Sequence, residues 1–98
     1  MALAMVVELT GLTRAEYESV VKAVAEEGTP AGSVFHAGGP TEDGFRVVEV
    51  WESREAADEF YGSDLLKRAT ANIAAQPRVL MTWPVQGVDD GTGWRDVG

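Results

Sequence analysis

Four short strand-like runs and two amphipathic helices, in the order β-α-β-β-α-β, predict an α+β fold. Two observations carry most of this reading. The stretch from Ser33 to Glu52 reads as a hairpin, and capped helix starts flank it at Thr13 and Ser53. At 98 residues the chain is expected to form one domain.

Leu3 to Leu9 is a β-branched, mostly apolar run that reads as the first strand. Thr13 with Glu16 makes a capping box, each side chain satisfying the other's free backbone N–H. Tyr17, Val20, Val21 and Val24 then recur at helical spacing, and Gly28 with Thr29-Pro30 ends the helix. Ser33 to Ala37 and Phe45 to Glu52 are strands around a turn-rich loop in which Asp43-Gly44 is the strongest hairpin signal. Ser53 caps a second helix, with Ala56, Ala57, Phe60 and Tyr61 on its inner face. Gly62-Ser63-Asp64 kinks or restarts that helix, Leu65, Leu66, Ala69 and Ile73 continue its stripe, and Pro77 stops it. Arg78 to Gln86 is the last strand, with Val79, Met81, Trp83 and Val85 on one face.

Two βαβ halves joined by a hairpin give a ferredoxin-like four-stranded antiparallel sheet, and right-handed crossovers put both helices on one face. The domain is expected over residues 1–86, with residues 87–98 as a flexible Gly/Asp-rich tail. The strands are apolar on both sides, so with no third layer the free face calls for a second copy of the chain. A homodimer is the expected state.

Charge and composition narrow the partners. Sixteen acidic against eight basic residues leave a formal charge of −8, which argues against nucleic acid and anionic membrane surfaces. There are no cysteines, so disulfides, thiolate catalysis and cysteine-bound metals are excluded. The opening MALAMVVEL has neither a basic n-region nor a cleavage pattern, and its apolar run is too short for a bilayer, so the expectation is a soluble cytoplasmic protein. No GxGxxG, Walker or nucleophile-elbow motif is present, and one histidine without HxH or HxxxH spacing makes no metal site.

With this element order, the segment VVEVWESREAADEF resembles the dimeric α/β-barrel superfamily, and within it the small antibiotic-biosynthesis-monooxygenase-like proteins. The cue is a strand ending in Trp51-Glu52-Ser53 that runs into a helix carrying Phe60, and the likeness covers about Val6 to Val85. It implies a cofactor-independent monooxygenase acting on a small aromatic or polyketide-like molecule. The scaffold equally hosts cyclases, isomerases and proteins that only bind a ligand or dimerise. The haem-degrading members imply a tryptophan and a later histidine on the second helix. Those positions hold Phe60 and Thr70 here, and Thr70 cannot supply an axial imidazole, so no cofactor is expected.

His36, the only histidine, and Glu49 are the candidate catalytic groups. A turn spanning Thr41 to Gly44 sets His36 opposite Glu49, where the carboxylate would orient the ring for acid or base work. A turn at Thr41-Glu42 sets it opposite Val47 instead, and the sequence leaves both open. The plain alternative is a structural histidine held within the sheet or dimer seam. Glu8 and Glu49 lie in apolar strands, so each must reach solvent, Arg46, Arg78 or His36. Tyr17, Trp51, Phe60, Met81 and Trp83 are candidate walls for a small hydrophobic or aromatic ligand, and Asn72 a candidate hydrogen-bond donor. The alternative for the aromatic residues and Met81 is simple core packing, and for Asn72 solvent exposure.

Overall fold

The computed structural model describes all of residues 1–98. Four strands, β1 (Leu3–Thr10), β2 (Ser33–Thr41), β3 (Gly44–Trp51) and β4 (Arg78–Pro84), form one antiparallel sheet in the order β2-β3-β1-β4. Helix α1 (Arg14–Glu26) connects β1 to β2, and α2 (Arg54–Tyr61) and α3 (Asp64–Ala69) connect β3 to β4. This is the ferredoxin-like topology that the element order predicts.

Local chemistry explains the element ends. Thr13 Oγ1 accepts the Glu16 N–H at 3.1 Å while Glu16 Oε1 accepts the Thr13 N–H at 3.0 Å, completing the capping box of α1. Ser53 caps α2 through the Ala56 N–H, and Ser63 caps α3 through the Leu66 N–H. The second helix is therefore two pieces broken at Gly62-Ser63. It ends at Ala69 rather than continuing to Pro77, so Ile73 packs from a turn and not from a helix.

Strand register sorts the side chains into rows. Facing the helices, Met5, Glu49 and His36 form one row, and Val7, Val47, Gly38 and Val79 the next. Met5, Val7, Val47, Trp51 and Ala57 are the buried cluster between sheet and helices. On the opposite face lie the rows Trp83–Ala4–Val50–Phe35 and Met81–Val6–Val48–Ala37, followed by a polar row of Arg78, Glu8 and Arg46. Arg46 bonds Glu8 at 3.0 Å, and this hydrogen bond, with help from Thr10, holds the Glu8 carboxyl below its usual range.

Two features depart from the pattern read in the sequence. A bulge between Val6 and Val7 in the β1–β4 register leaves Leu80 unpaired, so Val79 sits opposite Val7 and Met81 opposite Val6. Val79 is thereby separated from Met81 and Trp83, which the alternation had placed on one face. The segment expected as a flexible tail forms a hairpin, β5 (Gly87–Asp89) and β6 (Trp94–Asp96). Asp89 accepts the backbone N–H groups of Gly91 and Gly93, both glycines with positive φ, which closes the turn. Val88 and Val97 then pack on Ala2, Ala4 and Val50, so the chain supplies a partial third layer over one end of its open face. Trp94 stays mostly exposed, with its ring against Gly87.

Candidate functional site

The alternation of β3 puts Phe45, Val47, Glu49 and Trp51 beneath the helices. Because Ser53 starts α2 two residues after Trp51, that helix folds back over the strand and brings Tyr61 to Glu49. Glu49 is the one buried charged residue of the chain. Its Oε1 accepts the Trp51 indole N–H at 3.1 Å and the Tyr61 hydroxyl at 2.8 Å. Its Oε2 lies 3.6 Å from His36 Nε2. Of the two registers open in the sequence, the structure has the one pairing His36 with Glu49: Thr41 faces Gly44, and Glu42-Asp43 make the turn.

These groups line a cavity of about 740 Å³ between the sheet, α1 and the α2–α3 segment. That volume falls within the roughly 300–1,000 Å³ typical of small-molecule sites. Tyr17, Trp51, Phe60 and Tyr61 provide aromatic wall, and Leu66 and Val24 aliphatic wall. Tyr17 stacks on Phe45 with ring centroids 4.5 Å apart, and Phe60 packs on Trp51 at 5.3 Å. Burial first, then the Glu49 charge and hydrogen bond, pushes the Tyr61 hydroxyl far above its ordinary range. Burial and the same charge raise that of Tyr17. Both phenols are neutral at physiological pH, so each can donate.

The raised Tyr61 value has a pH consequence. The folded state holds its proton more tightly than the unfolded chain, so this contribution is complete below the unfolded value of 10.0 and is lost as pH rises above it. Urea titrations above that pH should show stability falling, with a shallower fall in Tyr61→Phe. Equal slopes for both proteins would contradict the assignment.

Gly38 has a separate role. A Cβ there would overlap the Tyr17 hydroxyl and crowd Val47, so glycine lets the hydroxyl end of Tyr17 approach β2 closely. Gly38→Ala should displace Tyr17 and cost about 1–3 kcal/mol, the usual range for overpacking, measurable as a lower urea midpoint. An unchanged midpoint would show that the ring is not held there.

The structure brings together His36, Glu49, Tyr17, Trp51 and Phe60 at the cavity. It does not bring Asn72, Met81 or Trp83 to it. Asn72 is exposed in the turn after α3, beside a shallow surface depression with Glu16 and Arg68. Met81 and Trp83 are on the open face of the sheet, separated from the cavity by the sheet itself. Tyr61, read in the sequence only as an inner-face residue, is the added member. The available signal was an aromatic pair, Phe60-Tyr61, on a helix that follows directly from a strand carrying a carboxylate.

No protein-family model matches the sequence, and no curated protein matches it significantly. Solved structures do match. A candidate antibiotic biosynthesis monooxygenase from Caulobacter crescentus superposes with a TM-score of 0.67 at 21% identity, over 86% of this chain and 89% of that one. The protein Rv0793 from Mycobacterium tuberculosis gives 0.65 at 16% identity, over 94% and 100% of the two chains. The chain has the fold of the antibiotic-biosynthesis-monooxygenase-like proteins. A dimeric ferredoxin-like protein of unknown function from Jannaschia is similar as well, with a TM-score of 0.54 at 15% identity over 83% and 99%. A shared ferredoxin-like fold does not by itself fix function, which lies in the side chains that a scaffold carries.

Proposed function

We propose that the chain is a homodimeric, cofactor-independent monooxygenase that binds a small aromatic or polyketide-like molecule in the cavity between sheet and helices. The observation that carries this reading is the His36–Glu49 pair on the floor of an aromatic-walled cavity. His36, half exposed, removes a proton from a phenol or enol, and the buried Glu49 carboxylate steadies the imidazolium that results. The electron-rich anion reduces dioxygen directly. One oxygen atom enters the product as a carbonyl at a ring-flanked methylene, and the other leaves as water. Apolar walls keep bulk water from the reacting anion.

The test is oxygen uptake by the purified protein with anthrone-like and quinol substrates. Stoichiometric uptake with product formation is expected. Turnover that proceeds equally under nitrogen would instead assign an isomerase or cyclase to the same base, and no turnover at all would leave a ligand-binding module.

The dimer reading is supported by the apolar rows left uncovered by the C-terminal hairpin: Phe35, Val48, Met81 and Trp83 are each 37–57% exposed. The flanking row of Arg78, Glu8 and Arg46 offers both signs of charge to a two-fold partner. Sedimentation at twice the 10.5 kDa chain mass is expected at micromolar concentration. A compact particle at the single-chain mass would show that the chain is a monomer.

A further inference from the structure

Glu49 is more than a support for His36. Both donors that reach it, Trp51 and Tyr61, bond the same oxygen, Oε1. Oε2 accepts no hydrogen bond, since His36 Nε2 at 3.6 Å is beyond that range. No side-chain polar atom sealed from solvent lacks a partner, so Oε2 opens into the cavity and is not closed off beneath it. The side chain is nevertheless only 5% exposed. A carboxylate oxygen with spare acceptor capacity therefore points into an apolar, aromatic space.

Little else offsets this charge. His36 and Lys67 are the cavity's cationic candidates; Lys67 is exposed on α3 and forms no ion pair with Glu49. Tyr17 and Tyr61 remain neutral. An anionic group brought to this floor would be desolvated against a like charge with no guanidinium to receive it. A hydroxyl or an ammonium would instead fill the open acceptor, and an ammonium would also meet the faces of the surrounding aromatic rings.

We infer that Glu49 selects the ligand: the end that enters the cavity is a hydrogen-bond donor, uncharged or cationic, bonded to Oε2, and ligands with a carboxylate or phosphate at that end are excluded. This rests on the reading of the cavity as an organic-ligand site and is independent of the oxygen chemistry.

Calorimetric titration of the full chain at neutral pH with 1-naphthol, 1-naphthylmethylamine and 1-naphthoate tests it, because the three share a ring system and differ in the polar end. Naphthol or the amine should bind more than about tenfold tighter than naphthoate, and whichever is tighter tells a neutral donor from a cationic one. In Glu49→Gln the preference over naphthoate should collapse to about threefold or less. The inference is overturned if naphthoate binds the unmodified protein as well as the others do, or if the preference survives in Glu49→Gln. Should that variant not fold, the comparison on the unmodified protein decides alone. Binding of all three without discrimination sinks this inference and leaves the ligand cavity standing. Binding of none sinks both.

Discussion

Trp51→Ala is expected to cost about 3–5 kcal/mol, the range for deleting a large buried aromatic side chain. Trp51 is 3% exposed and packs in the cluster of Met5, Val7, Val47 and Ala57, with Phe60 tilted against its ring. Its removal opens a void at the junction of β3 and α2, where the cavity floor begins. It also withdraws the indole N–H from Glu49, leaving that buried carboxylate with Tyr61 as its one hydrogen-bonded partner. A domain of this size has about 5–15 kcal/mol in total, so the variant should be largely unfolded at moderate temperature. Trp51→Phe helps to separate the two contributions, since it removes the N–H while keeping a six-membered aromatic ring in the site and leaving a smaller void than alanine. Urea midpoints at constant slope measure both. A loss below about 1 kcal/mol for the alanine variant would mean that Trp51 is not buried as described.

His36→Ala is expected to behave in the opposite way: folding little changed, activity reduced about 10²–10⁴-fold, the usual contribution of a positioned base. The imidazole side chain is 44% exposed and belongs to neither buried cluster, so its truncation removes little packing. The loss should appear in kcat for oxygen uptake with an anthrone-like substrate, with the urea midpoint as control. An unchanged rate would remove His36 from the chemistry and leave Glu49 as the remaining candidate base.

The fold was legible because local signals agreed with one another. The Thr13–Glu16 capping box, the Ser53 cap and the alternation of β3 each specify an element without reference to distant residues. What the sequence left open was set by tertiary contact. Asp43-Gly44 signalled a hairpin, yet the turn centres on Glu42-Asp43, neither with positive φ. Gly44 is required because a side chain there would run into the Leu9 carbonyl of the neighbouring strand. The single residue of slippage at Leu80 likewise cannot be read from an alternating strand, and it separates Val79 from Met81 and Trp83. Tyr61 reaches Glu49 because α2, starting directly after β3, lies back over that strand, a geometry that the helical stripe alone does not contain. The tail had no periodicity to read. Its order comes from aspartates and glycines closing a turn and from two valines finding the open sheet face.

A crystal structure of the protein with bound 1-naphthol tests most directly where a ligand sits. The prediction is a ring between α1 and the sheet, against Tyr17 and Phe60, with its oxygen within hydrogen-bonding distance of Glu49 Oε2 or His36 Nε2. Density confined to the opposite face, on Met81 and Trp83, with the cavity filled only by water, would contradict it.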